Sequence, residues 1–183
     1  MAAAFLIAVA VLAAALATVS TDTLAGKAIA VDGDSLLFGE TRIRLEGIDA
    51  PEFSQTCMAG GRSFECGREA RNHLRRLIGG RPVSCSGWQT DKYGRMLARC
   101  TVSGTDINAA MVRDGWAVAF GDFATEEEQA RAEKRGIWQG EFEAPRDWRR
   151  EHPNSPDEAE PHSASFGAFI ESIGRRIAAW TGN

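Results

Sequence analysis

Four cysteines and one hairpin constrain this chain more than any other feature. Residues 82–86 and 95–102 read as two strands joined around Asp91-Lys92-Tyr93-Gly94. With Lys92 and Tyr93 at the centre of the turn, Asp91 opposes Gly94, and stepping outward sets Cys85 opposite Cys100. Directly opposed cross-strand residues hold their β-carbons close enough for a disulfide. The expected bridges are therefore Cys85–Cys100 and, from the remaining two cysteines, Cys57–Cys66, which clips the loop after Pro51. A loop of about 15 residues closed in this way gains roughly 3 kcal/mol of chain entropy. The sequence has no C-x-x-C, and His73, His152 and His162 are scattered, which argues against a zinc site. An even number of cysteines in a small chain fits an oxidising compartment.

The start of the chain points the same way. Residues 2–17 (AAAFLIAVAVLAAALA) carry no charge, and Ala15-Leu16-Ala17 forms a small-x-small cleavage site. The run lies between the length of a signal-peptide apolar region and the roughly 20 residues of a membrane span. No Lys or Arg precedes it. Residues 1–21 are read as a signal peptide or a retained membrane anchor, with a buried Ala-rich helix as the other reading. The protein is expected to be exported: periplasmic, secreted or anchored facing outside the cytoplasm.

At 183 residues and 44% apolar content, the chain can bury one ordinary core. A net charge of -4 is unusual for a protein that neutralises phosphates, but the charge is segregated. Arg62, Arg68, Arg71, Arg75, Arg76 and Arg81 cluster in one stretch, whereas Asp157, Glu158 and Glu160 fall in a polar tail.

Residues 25–47 read as strands. Ala28–Val31 leads through Asp32-Gly33-Asp34 to Ser35–Phe38, and Thr41–Glu46 alternates cleanly, Ile43 and Leu45 on one face and Arg42, Arg44 and Glu46 on the other. A helix is expected over 65–78, with Ala70, Leu74, Leu77 and Ile78 on one face and Gly79-Gly80 ending it. A second spans 107–114 and stops at Gly115. Trp116 to Phe120 reads as strand or loop. Thr125-Glu126-Glu127-Glu128 reads as a capping box opening a third helix to about Arg135. The main domain is thus placed at 22–150, a linker at 151–165 and an amphipathic helix at 166–183, where Trp180 and two arginines could meet a membrane surface.

Phosphodiester cleavage needs a hard cation, a base for water and positive donors for the charge that builds on phosphate. The first hairpin supplies all three types: Asp34 follows the Gly33 turn, and Asp49-Ala50-Pro51-Glu52 follows the strand that carries Arg44. Oxygen-only ligands suit calcium or magnesium. Arg95 lies just past the Tyr93-Gly94 turn. Each fragment alone is ordinary; Asp-Gly-Asp is a common turn. Their joint occurrence is informative.

Three segments, Val31–Ser35, Arg44–Glu52 and Thr90–Arg95, closely resemble the signature blocks of the thermonuclease (staphylococcal-nuclease-like) family, in the same order. Asn108–Ala117 and Gly136-Ile137-Trp138 resemble its later structural blocks, so the likeness runs from about residue 25 to about 150. It implies an α+β fold: a five-stranded OB-fold β-barrel with about three packed helices. It also implies a calcium-dependent nuclease that releases 3′-phosphorylated products from DNA and RNA; separately, the protein is expected to be a monomer. Asp34 and Asp49 match the calcium-binding aspartates, and Ala50 matches a position that binds calcium through its main-chain carbonyl. Glu52 matches the carboxylate proposed as general base. Arg44 and Arg95 match the phosphate-binding pair, and Lys92 and Tyr93 match substrate contacts beside the bound nucleotide.

Departures from the pattern are Ser35, where Thr is usual, and Phe120 and Phe123, where well-known members carry tyrosines. A non-catalytic OB-fold module that holds nucleic acid is the alternative, but such modules typically lose the carboxylates or paired arginines that this chain keeps. An envelope interaction protein, in which the two terminal segments matter most, is the other.

Overall fold

The computed structural model describes residues 22–153; the apolar segment at 1–21, most of the 151–165 linker and the helix expected at 166–183 lie outside the described residues. Strands β1 (Asp22–Gly26), β2 (Ile29–Ala30), β3 (Ser35–Phe38), β4 (Thr41–Leu45) and β5 (Ile48–Asp49) come first. A short hairpin of β6 (Cys57–Ala59) and β7 (Arg62–Phe64) leads into helix α1 (Cys66–Ile78). Strands β8 (Val83–Thr90), β9 (Met96–Val102) and β10 (Thr105–Asp106) precede helix α2 (Ile107–Arg113). Strand β11 (Val118–Ala119), helix α3 (Ala124–Ala132), a 3₁₀ turn (Gly136–Gln139) and helix α4 (Pro145–Glu151) complete the order.

The main sheet runs β1-β8-β9-β4-β3-β2, with β10 added beside β9. Its end strands β1 and β2 are consecutive in the chain, separated only by Lys27 and Ala28, so the sheet curls back on itself. The seven paired segments exceed the expected five because this stretch breaks in two and β10 contributes two residues of its own. All contacts on the main path are antiparallel except β4–β9, which is parallel. The alternation read in β4 holds: Ile43 and Leu45 are buried, while Arg42 and Arg44 face the other side. The core gathers Leu36, Ile43, Leu45, Val83, Val102 and Met111 with the α1 residues Ala70, Leu74 and Ile78. Gly79, in the left-handed region at φ 58, ends α1 as expected.

Both expected disulfides are formed, Cys57–Cys66 and Cys85–Cys100, with Cα–Cα separations of 5.6 and 4.0 Å. The hairpin around them needs one correction. Cys85 does oppose Cys100, but Asp91 pairs with Arg95, not Gly94: the Asp91 N–H donates to the Arg95 carbonyl at 2.9 Å. The turn is one residue longer than expected, and a bulge at Trp88, between Gly87 and Gln89, takes up the difference before the cysteines.

Two helix expectations are also corrected. Thr125 caps nothing, because α3 already begins at Ala124, after Phe123 in the left-handed region at φ 65 with no side-chain cap. The Glu127 carboxylate instead accepts from the Ala119 N–H at 3.0 Å, and the helix stops at Ala132, short of Arg135. Beyond the three expected helices stands α4, which carries the domain to Glu151. The Trp116–Phe120 stretch resolves into β11, antiparallel to β5, with Val118 opposite Asp49.

A second small core forms around Cys57, Cys66 and Ile137, with Trp138 and Phe142 packed against it. It ties the chain after the 3₁₀ turn to the Cys57–Cys66 loop. Met58 and Glu141 exchange backbone hydrogen bonds of 2.8 and 3.0 Å, and the buried Gln55 side chain donates to the Glu143 carbonyl at 2.7 Å. Among the described residues no helix is long and apolar enough to cross a membrane.

Candidate active site

The residues singled out on the first hairpin converge. Asp34 precedes β3, where Ser35 is registered with Arg44 of β4. Its backbone is pinned on both sides: the carbonyl accepts from the Leu45 N–H at 2.8 Å, and its N–H donates to Asp32 Oδ1 at 3.0 Å. Gly33 is required here by close approach. A β-carbon at that position would fall 2.6 Å from the Ala50 β-carbon and 2.9 Å from that of Ala70. The buried Asp34 carboxylate then accepts from the Ala50 N–H at 3.1 Å and the Ser35 hydroxyl at 3.1 Å. The Ser35 hydroxyl does this with no need for the methyl group that Thr would add.

Arg44 forks across two acids, with Nη1 2.6 Å from Asp34 Oδ1 and Nη2 2.7 Å from Asp49 Oδ1. Asp49 lies on β5 and is itself buried. Glu52 is positioned from its backbone: its N–H donates to Gln55 Oε1 at 3.2 Å, and α1 presses Gly67 against its carbonyl. Burial raises the Glu52 carboxyl above its ordinary value, against the pull of Arg149. Burial likewise pushes Asp34 up to about 7, against the pull of Arg44.

Arg149 is the residue that sequence reasoning missed. Reaching in from α4, it donates to both oxygens of Asp49, at 3.0 and 2.9 Å, and to Glu52 Oε1 at 2.6 Å. The helix itself was detectable, with Pro145 at its start, Asp147 in its first turn and Arg149 and Arg150 in its last. Nothing local, however, links it to a carboxylate 100 residues earlier.

Lys92, Tyr93 and Arg95 form a second group at the tip of the β8–β9 hairpin. Asp91 Oδ1 accepts from the Tyr93 and Arg95 N–H groups, each at 2.9 Å, and Asp91 Oδ2 accepts from Arg95 Nε at 2.8 Å. Partial burial would raise the Asp91 carboxyl, but these donors hold it below its ordinary value. Tyr93 is 65% exposed, with Lys92 Nζ 4.8 Å and the Arg95 guanidinium 5.4 Å from its ring centre. Arg95 thus pairs with Asp91 and not with the carboxylates of the first group. The parallel register sets Leu97 beside Arg44, so strand alternation puts Arg95, two residues earlier, on the Arg44 face of the sheet.

Phe120, 63% exposed, lines a cavity of about 460 Å³ that opens beside Asp49 and is walled by Arg146, Asp147 and Arg150 of α4. Phe123 does not share it; its ring lies under the Arg99 guanidinium at 4.5 Å.

The donor chemistry fits a hard divalent cation. Three carboxylates (Asp34, Asp49 and Glu52) face two guanidiniums, so their ionised forms leave negative charge in excess. Asp34, Asp49 and the Ala50 carbonyl are hard oxygen donors. Among the described residues no group of three or more acidic, His or Cys side chains is placed to hold a metal ion by itself. A cation here would therefore draw much of its shell from water and substrate.

Comparisons with known proteins identify the family. A family model described as staphylococcal nuclease homologue matches residues 42–140. The probable staphylococcal-like nuclease CAN3 of Oryza sativa subsp. japonica is 35% identical over 147 residues, covering 76% of this chain and 37% of that protein. The succinoglycan biosynthesis protein ExoI of Rhizobium meliloti (strain 1021) is 32% identical over 68% of this chain and 69% of its own length. A protein of Escherichia coli O157:H7 named an uncharacterized endonuclease is 33% identical over 59% of this chain and 72% of its own. The chain spans less than two fifths of the two rice nucleases CAN3 and CAN2 that it matches. The matched region holds Arg44, Asp49, Glu52 and Arg95, while Asp34 precedes it and Arg149 follows it. With a family model matched over more than half of its length and relatives above 30% identity, the chain belongs to the staphylococcal nuclease homologue family, whose domain is an OB-fold.

Proposed function

We propose that this protein is a calcium-dependent nuclease that hydrolyses phosphodiester bonds of DNA and RNA outside the cytoplasm and leaves 3′-phosphorylated products. The observation that carries the reading is the Arg44 fork, which joins Asp34 and Asp49 within 2.7 Å at the side of Glu52. The names of the relatives as nucleases and endonucleases support it.

On this reading Asp34, Asp49 and the Ala50 carbonyl hold calcium, which when bound polarises a phosphoryl oxygen. Arg44 turns part of its fork to the scissile phosphate, and Arg95 approaches it from the hairpin tip, together neutralising charge as it builds. Glu52 orients a water molecule and takes its proton as the oxygen attacks phosphorus. The bond from phosphorus to the 5′ oxygen breaks with its electron pair on that oxygen, which takes a proton from water, leaving a 3′-phosphate on one product and a 5′-hydroxyl on the other. Tyr93 offers an exposed ring for a base or phosphate, with Lys92 supplying charge beside it.

Export is supported by the two disulfides and by the uncharged residues 2–17, which serve as a signal peptide or membrane anchor. Action as a monomer is proposed with it.

The test is end-group analysis. Single-stranded DNA and RNA are incubated with the protein in calcium, then in excess EGTA, and the products are labelled before and after treatment with a 3′-phosphatase. Calcium-dependent products that accept a 3′ label only after phosphatase treatment are expected. Binding without cleavage under any divalent metal would move the assignment to a nucleic-acid-binding module. Neither binding nor cleavage would leave an envelope interaction protein.

A further inference from the structure

The geometry assigns Arg149 a part in the reaction: it is a positioning residue that fixes the Glu52 carboxylate beside Asp49. The inference rests on the proposed nuclease reading. Arg149 lies beyond the segment matched by the family model, which ends at residue 140.

Three observations support it. First, both terminal nitrogens are engaged: Nη1 reaches Asp49 Oδ1 at 3.0 Å and Glu52 Oε1 at 2.6 Å, while Nη2 reaches Asp49 Oδ2 at 2.9 Å. One planar group therefore sets the distance and angle between two acids assigned different tasks. Second, the arginine is delivered by a built path. Residues 141–143 are bolted to Met58 and to Gln55 just before Cys57, and Gln55 also accepts from the Glu52 N–H. A β-carbon at Gly140 would fall 1.9 Å from the Met58 carbonyl oxygen, so that contact is close as well as bonded. Third, Glu52 Oε1 is the only oxygen of that carboxylate to which Arg149 donates, so Oε2 is left outside its fork. A surface ion pair needs none of this. The arrangement presents one oxygen of Glu52 in a fixed direction and keeps the other in the guanidinium's grip.

The experiment compares full-chain wild type with Arg149→Ala, Arg149→Gln and Arg149→Lys. It reads kcat and KM on single-stranded DNA, and calcium affinity by calorimetry without substrate. With Glu52 loosened, kcat is expected to fall about 100-fold, the scale of a 1 Å misplacement, with KM little changed. Calcium should bind as tightly or more tightly, since a cation has left the side of Asp49. Arg149→Lys should recover only part of the loss, because a point charge cannot span both acids. Arg149→Gln keeps most of the stem and serves if the alanine variant does not fold.

Unchanged or increased kcat overturns the proposal, the latter by making Arg149 an inhibitory contact. A rise in KM with kcat intact makes it a phosphate-binding residue instead. Loss of kcat together with weakened calcium binding makes it merely structural. A wild type that cleaves nothing sinks the nuclease reading beneath it, a result distinct from all of these.

Discussion

Gly67 lies directly against the backbone of Glu52: a β-carbon at Gly67 would fall 1.7 Å from the Glu52 carbonyl oxygen. Helix α1 thus begins where the loop carrying Glu52 passes beneath it, and only hydrogen fits between them. Gly67→Ala forces that loop outward. The expected cost is about 1–3 kcal/mol of stability, as for other overpacked contacts. Turnover measured well below the melting transition should fall as well. A variant that loses stability but turns over like wild type would show that the Glu52 loop adjusts without consequence.

Asp34 sets a pH dependence. Burial, opposed by Arg44, moves its carboxyl from the ordinary 3.8 up to about 7. Between those values the folded protein keeps a proton that the unfolded chain has released, so this site's contribution to stability falls as pH rises through the window. Asp34→Asn removes the titration. Melting in EGTA, with wild type and variant side by side, should show the variant gaining on wild type from pH 4 to pH 7. A constant difference across that range contradicts the assignment.

The two disulfides are expected to differ in what they protect. Each closes a short loop, of separation 9 for Cys57–Cys66 and 15 for Cys85–Cys100. Loops of about that size contribute roughly 3 kcal/mol apiece. Cys57–Cys66 also braces the loop that holds Gln55 and Glu52, whereas Cys85–Cys100 joins two strands already in register. Replacing either pair by Ser should lower the melting temperature. Only the Cys57–Cys66 replacement should also reduce kcat at a temperature where both variants are folded. Equal losses of kcat would mean that the brace is not specific.

Asn108 is a buried staple at the centre of the fold. Its amide donates to the Glu46 carbonyl at 2.9 Å and the Ala98 carbonyl at 3.0 Å, and its oxygen accepts from the Cys100 N–H at 3.1 Å. Asn108→Ala removes all three bonds, the Ala98 carbonyl keeping the Glu46 N–H at 2.9 Å, at a cost on the order of 3 kcal/mol. Denaturant melts that moved by less than a third of that would show that water replaces the amide.

The sequence was most readable where one period governed it. Alternation placed Arg44 opposite the core face of β4, where it bridges Asp34 and Asp49, while Glu52 is tied to Asp49 through Arg149. The cysteine register was right for a reason that concealed an error. The longer Asp91–Arg95 turn and the Trp88 bulge shift the strands in compensating senses, so Cys85 still meets Cys100. A bulge leaves no periodic trace, and counting residues outward cannot detect it. Thr125 failed for the opposite reason, since its cap pattern is a good local signal overridden by Phe123, whose left-handed backbone caps α3 two residues earlier. Arg149 was hidden by distance: the β6–Glu141 bridge and the Gln55–Glu143 bond that aim it are tertiary contacts without sequence periodicity.

Asp34, Arg44, Asp49 and Glu52 are proposed to form a working phosphodiesterase centre, and one comparison tests that most directly. The rate of single-stranded DNA cleavage by the full chain is measured in calcium and in EGTA, for wild type and Glu52→Gln, with folding checked by thermal melting. The expected result is calcium-dependent cleavage by wild type that drops about 100-fold or more in Glu52→Gln, the scale of a lost general base, with the melt little changed. Cleavage that continues in EGTA, or a Glu52→Gln variant as fast as wild type, would contradict the account.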